Sequence, residues 1–461
     1  MRLSANIAYA MALLALGGCA NLAPQYVRPP PRIPQQQATF EHDFAIKTPS
    51  EVFANPRLRD TVALALERNQ DLALAMLNVQ RARASYRLRD AETLPTVTLD
   101  GNGVDASRQQ GQLSVSLGFA SYELDFFGRV KNLKEVALQD VLQSDENRRT
   151  ASLSLIAEVA TAWLRLDADQ QRFALVNKTA GNLQRVYELT LARYNQDAIS
   201  GLELAQADTA LAQIGTEQAG LEAQLQQDRN ALTLLVGAEV PETLLPDADA
   251  RGHAALSLNG PLPAGVPSSL LLRRPDVMAA EHALIGANAD IGVARARFFP
   301  RIALTGSYGN TSTALSTLLG GGGWNIAASA AVPLFDHGAN RANLKVTELD
   351  TQIAQAQYQK TLQIAFRDMA DALAIGGSIA ARLQAQTQLI DAASRQVRIA
   401  AARYKRGQTG LVDLLNAERA LYVAQQALLD TTLLRDSNLV TAYRVLGGEW
   451  MQAPTRGGSA P

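Results

Sequence analysis

The residues able to do chemistry are few and scattered. Four histidines, His42, His253, His282 and His337, stand far apart and give no metal-ligand spacing. Cys19 is the only cysteine, which excludes an intrachain disulfide. The chain contains no G-x-S-x-G, no Walker-type phosphate loop and no H-E-x-x-H. The glycine run "GGGGW" at 320–324 lacks the lysine a phosphate loop needs. No catalytic, cofactor or metal site is therefore expected, and the chain reads as a non-enzyme. With 43 basic and 44 acidic residues and no basic stripe, nucleic acid is not an expected partner.

The one candidate for covalent chemistry is Cys19. The chain opens with Arg2, then an apolar run from Ile7 to Leu16, then "LGGC". The run is too short to span a bilayer as a helix and has the order of a secretion signal. Leu16 to Cys19 resembles a bacterial lipobox. That resemblance implies cleavage after residue 18 and lipid on Cys19, the only attached group expected. Ala20 follows, not Asp, so outer-membrane sorting is the default. The proline-rich "PPPRIP" beyond it reads as an extended tether.

The elements behind these residues are written twice. "ARYNQDAISGLELAQADTAL" from Ala192 and "ARYKRGQTGLVDLLNAERAL" from Ala402 agree at seven of twenty positions without a gap. Upstream, Asp71 pairs with Asp276, Pro95 with Pro300 and Gly101 with Gly306, at an offset smaller by five. The second copy therefore carries a loop five residues longer, in "STALSTLLGGGGWN". Each copy is too long to be a solenoid repeat, so this is a duplicated domain. The expected order is a signal peptide at 1–18, a lipidated extended segment at 19–55 and repeat 1 at 56–237. A connector at 238–269, repeat 2 at 270–448 and a tail at 449–461 follow.

Within each copy a helix begins near Asp71 or Asp276, whose carboxylates can cap free N–H groups. Two alternating segments follow, forming hairpins at about 94–125 and about 299–335. "TVTLDGNG" puts Val97 and Leu99 on one face and Thr98 and Asp100 on the other. "QLSVSLGF", "RIALTGSYG" and "WNIAASAAVPLF" alternate in the same way. Such runs fit strands facing two environments. Proline-free helical stretches then run from Arg129 to Asn195 and from Ala339 to Lys405. A returning helix carries a heptad seam, Leu204, Ala207, Leu211, Ile214, Gln218, Leu221, Leu225, Asp228, Leu232 and Leu235. Four strands cannot close a membrane barrel, because the smallest have eight and open edges in lipid leave backbone unpaired. Membrane hairpins would thus require several chains to pool them.

Together the lipobox, "SYELDFFGRV" (121–130), "LRRPDVMAAE" (272–281), "FFPRIALTGSYG" (298–309) and the repeated ARY segment are similar to the TolC/OprM superfamily of outer-membrane efflux lipoproteins, in its NodT-like branch. The resemblance covers nearly all of the chain from Cys19 to Gly448. It implies a mainly α fold with membrane β, in which three chains give a twelve-stranded transmembrane barrel continued by a long coiled-coil helical barrel. The implied protein is the exit duct of a tripartite RND-type efflux system. Its implied partners are two further copies of itself, a periplasmic adaptor, an inner-membrane pump and outer-membrane lipid. An exit duct for type I protein secretion and a pore-free coiled-coil lipoprotein are the alternatives.

The resemblance also makes the two ARY segments the helix-to-helix turns of the periplasmic tip, at about 195–202 and about 405–412. The family's tyrosine, glycine and acid fall on Tyr404, Gly407 and Asp413. A second acid is replaced by Asn416. Tyr404, Asp413, Asn416 and Arg406 are the implied gate, and a helix-capping role for Asp413 stays open beside it. Asp197, Ala198, Ile199, Gly407, Gln408 and Thr409 are the implied adaptor-docking turns. In copy one Tyr194 and Glu203 fit the pattern, but Asp197 stands where the glycine should be.

Overall fold

The computed structural model describes residues 20–30, 44–46, 52–106, 109–247 and 268–451. The signal peptide, Cys19 and most of the connector lie outside them. The chain divides into two compact units.

The first unit combines residues 1–32, 75–148 and 276–362 and holds a four-stranded antiparallel sheet. Its strands are β2 (Val97–Ala106), β3 (Gln109–Leu124), β4 (Arg301–Ser312) and β5 (Gly323–Ala331), in the order β2-β3-β4-β5. Register carries the alternation across all four strands. Leu99, Leu117, Tyr308 and Trp324 form one row, and Val97, Phe119, Gly306 and Ile326 form another on the same face. The intervening rows are polar or glycine: Asp100, Ser116, Gly309, Gly323, and Thr98, Gly118, Ser307, Asn325. Trp324 is 77% exposed and Leu99 72%, so the apolar rows are left bare by this chain.

β3 is longer than its alternating core because a bulge extends it. The β3–β4 register shifts between Phe119 and Tyr122, and Ser121 takes φ 56°. Its N–H is donated to Thr305 Oγ1 at 3.1 Å. Below the bulge, Glu123 accepts two bonds of 2.7 Å from Arg129 and pairs with Arg301 at 2.6 Å. This ties β3 and β4 to the helix that follows.

Residues 20–30 lie along the same unit as a strap. Ala20 N–H donates to Phe126 O, Asn288 to Pro24 O, Arg295 to Leu22 O and Gln359 to Pro30 O. Arg28 holds the buried Glu281 with two bonds of 2.6 Å, and Tyr26 donates to the same carboxylate. Gly292 is needed beneath the strap, since a Cβ there would sit 2.8 Å from Ala23 and 2.4 Å from Asn132 Nδ2. This stretch of the expected tether is therefore extended but fixed.

The second unit combines residues 33–74, 149–275 and 363–461. Its largest apolar core gathers Phe53, Leu58, Trp163, Leu166, Leu232, Val236 and Tyr443. Trp163 donates its indole N–H to Leu244 O at 2.9 Å. Phe44–Ile46 (β1) pairs antiparallel with Glu449–Met451 (β6), so the expected tail begins with a strand.

Eight helices are described: α1 (Pro56–Arg68), α2 (Gln70–Ala91), α3 (Arg129–Tyr194), α4 (Gly201–Val236), the short α5 (Ser268–Leu271), α6 (Pro275–Ala296), α7 (Ala339–Lys405) and α8 (Leu411–Val445). α3 and α7 have 66 and 67 residues. At a rise of about 1.5 Å per residue each is on the order of 100 Å long. Capping differs between the copies. Asp276 lies inside the first turn of α6, where its Oδ1 accepts from the next N–H, that of Val277, and Asp71 does not cap α2. Asn69 does so, accepting from Leu72 N at 2.8 Å and donating to Leu235 O. The chain breaks at Asn69 between α1 and α2, so the cap falls there and Asp71 lies inside the first turn.

Candidate periplasmic tip and gate

In the second unit the two ARY segments close the hairpins α3–α4 and α7–α8. Both use one hydrogen-bond pattern. Asp197 N–H donates to Tyr194 O and Ala198 N–H to Arg193 O. Gly407 N–H donates to Tyr404 O and Gln408 N–H to Arg403 O. Each is a Schellman motif, whose left-handed residue caps the last carbonyls of a helix. Gly407 takes φ 71° and Asp197 takes φ 55°. The aspartate in the glycine's place thus adopts the glycine's conformation, and the turn is conserved in shape between copies.

The returning helices start differently. Ser200 caps α4, its side chain accepting from Glu203 N at 3.4 Å. Gly410 precedes α8 and offers no side-chain cap. Asp413 lies in the first turn of α8, where its charge suits the helix dipole. It makes no hydrogen bond or ion pair among the described residues, so a hydrogen-bonded cap is not its role in this chain.

The four gate candidates separate into two environments. Asp413, Asn416 and Arg406 are exposed. Tyr404 is buried in a small apolar core with Ala207, Ala400, Leu411, Leu414 and Ala417. The Arg193 guanidinium stands 4.9 Å from the Tyr404 ring centroid, so α3 and α7 meet through a cation–π contact. The Tyr404 hydroxyl is enclosed without a partner. Of the docking candidates, Asp197, Ala198, Gly407 and Gln408 are exposed, and Ile199 and Thr409 are half-buried.

Asn416 also lines a groove of about 610 Å³ between α3, α4 and α8. Across it, Tyr422 and Gln426 of α8 both donate to Glu217 Oε1 of α4, at 2.6 and 2.7 Å. Neither this clasp nor the Arg193–Tyr404 contact is visible in the sequence, because each joins residues about two hundred positions apart. Among the described residues no cluster of His, Cys, Asp or Glu could hold a metal.

A sheet with one apolar and one polar face, in a chain with helices of this length, defines a membrane channel protomer with long helical hairpins. Comparison with known proteins gives the particular family. Residues 61–238 and 266–448 each match the outer membrane efflux protein family. The chain is 37% identical to the solvent efflux pump outer membrane protein SrpC of Pseudomonas putida, over 95% of this chain and 97% of the relative. It is 34% identical to the cation efflux system protein CusC of Escherichia coli, with the same coverage of 95% and 97%. The open-state MtrE outer membrane channel of Neisseria gonorrhoeae superposes with a TM-score of 0.82 at 36% identity, covering 93% of this chain and 98% of MtrE. A CusC crystal structure gives 0.84 at 33% identity, covering 92% and 99%. The chain belongs to the outer membrane efflux protein family. It is the outer-membrane component of an efflux pump, spanning the outer membrane and extending into the periplasm.

Proposed function

We propose that three copies of this chain pool their sheets into one twelve-stranded barrel and form the exit duct of a tripartite RND-type efflux system. The observation that carries this reading is the alternation of apolar and polar rows across β2-β3-β4-β5, in a sheet whose two edges are open. In lipid the β2 and β5 edges must find partners, and a neighbouring copy supplies both. The bare apolar rows then face lipid and the polar rows face a solvated lumen.

In this reading a periplasmic adaptor docks on the turns at Asp197, Ala198, Ile199, Gly407, Gln408 and Thr409, and couples the duct to an inner-membrane pump. The relatives include solvent, cation and antibiotic efflux proteins, which supports a duct that accepts what a pump delivers. Three Asp413 carboxylates, with Asn416 and Arg406 beside them, guard the tip. Tyr404 fixes how the two hairpins of one chain pack there. Adaptor contacts open the tip by binding the open state more tightly. The duct uses no cofactor, and its one attached group is the lipid on Cys19.

The protein mass of the detergent-extracted particle, with detergent subtracted, tests the assembly. Three chains are expected, and a monomer would remove the channel reading. Asp413→Ala is expected to raise the conductance of the channel in a planar bilayer. Unchanged conductance would take Asp413 out of the gate.

A further inference from the structure

Away from the tip, the second unit encloses an ionic junction at one seam position of α4. Asp228 stands where the heptad calls for an apolar side chain. It is 6% exposed, and Asp169 of α3 beside it is 3% exposed. Asp228 Oδ1 accepts from Gln224 Nε2 at 2.9 Å and lies 3.5 Å from Arg165 Nε. Oδ2 is enclosed with no donor facing it. Arg165 also reaches Asp169 at 3.9 Å, and Arg172 joins Asp169 to Asp430 of α8.

On α3, Asp167 accepts from Gln171 and is itself pushed up to about 6 by burial. On α8, Arg435 pairs with Asp436, and the remaining charges nearby are engaged. Arg229, next to Asp228 in the chain, pairs with Glu242. α1 also packs on α4 and carries Arg57, Asp60, Glu67 and Arg68. Arg57 is held by Asp247, Asp60 by Arg59 and Glu67 by Arg68. Two buried carboxylates, Asp169 and Asp228, therefore share the half-exposed Arg165, while Arg172 is divided between Asp169 and the exposed Asp430. A carboxylate oxygen enclosed without a donor is costly, whereas a protonated carboxyl there becomes a donor to Asp169.

We propose that Asp169 and Asp228 form a proton-binding carboxyl pair that locks α3 to α4, with Arg172 extending the lock to α8. Burial, with the hydrogen bond and charge of Asp169 added, pushes Asp228 up to about 6. The Asp228 pKa is raised on folding, so the folded chain takes up a proton between the ordinary carboxylate range near 4 and about 6. The lock is complete below that window and is lost as pH rises through it. Acid braces this part of the wall, and neutral or alkaline conditions loosen it.

Asp228→Asn keeps the shape and gives a permanent donor to Asp169. Thermal unfolding of the full chain in detergent would be followed for wild type and variant at about pH 5 and about pH 8. The wild-type midpoint is expected to fall several degrees further than the variant's between the two. Equal falls would overturn the proposal, whatever other groups titrate. Infrared spectroscopy gives a second readout. At about pH 5 the wild type should show a protonated-carboxyl band that Asp228→Asn lacks and that disappears as pH rises through about 6. Identical bands in the two would also overturn the pair, since burial pushes Asp167 up to about 6 as well.

Discussion

Three positions share a left-handed backbone but differ in the space around them. Gly407 has φ 71° and nothing within 4 Å of an added Cβ. Gly237 has φ 76°, and a Cβ there would sit 2.5 Å from Arg68 O and 3.2 Å from Asn69 Cα. Asp197 already has a side chain at φ 55°. Gly407→Ala should therefore cost only the conformational term, about 1 kcal/mol. Gly237→Ala adds a clash with backbone that cannot rotate away, on the order of 1–3 kcal/mol more. Asp197→Gly should raise stability by a few tenths of a kcal/mol up to about 1, since it relieves the strain but adds unfolded-state freedom. Thermal unfolding midpoints of the three variants in one detergent give the ranking. A Gly407→Ala cost equal to that of Gly237→Ala would refute the separation of backbone strain from steric contact. A destabilising Asp197→Gly would show that the aspartate side chain supports its turn.

Other variants probe the strap, the tip and the core. Arg28→Ala leaves the buried Glu281 carboxylate with Tyr26 alone and should cost roughly 3 kcal/mol, more than Glu281→Ala, which leaves a half-exposed arginine. Unfolding midpoints in the reverse order would contradict the clip, and proteolysis within residues 20–30 should rise in both. Tyr404→Phe removes a hydroxyl that has no partner in this chain, so stability should be unchanged or up by about 1 kcal/mol. A marked loss measured in the assembled particle would mean that a neighbouring copy supplies an acceptor. Trp163→Phe removes one of two donors to Leu244 O, which keeps Thr61 Oγ1 at 3.2 Å, and should lower stability by about 1 kcal/mol, read from the thermal midpoint.

The strands and long helices were legible because their causes are local. Alternation at Val97, Leu99, Ile302 and Leu304 needs only the two-residue period of a strand. The proline-free runs after Arg129 and Ala339 needed only length. The bulge at Ser121 is not legible in the sequence because nothing marks a serine for positive φ. Sequence favours Asp71 over Asn69 as the cap because the break between α1 and α2 depends on Asn69 bonding Leu235, far away in sequence. Asp197 looked like a departure at the tip, yet aspartate tolerates the left-handed region well enough to keep the turn. The seam did carry one clue, a charge at Asp228 among leucines and alanines. Its partner Asp169 lies 59 positions earlier, where no periodicity links the two.

The open edges of β2 and β5 also bear on inheritance. In the proposed ring each copy closes only by way of both neighbours, through two different edges. A copy damaged at β5 keeps an intact β2 and still joins a ring, which it then prevents from sealing. If damaged and intact copies are made equally and mix freely, only about one ring in eight is built wholly from intact chains. Lesions confined to one edge should therefore behave as dominant in cells carrying both alleles. Lesions that stop the protomer folding at all should be recessive.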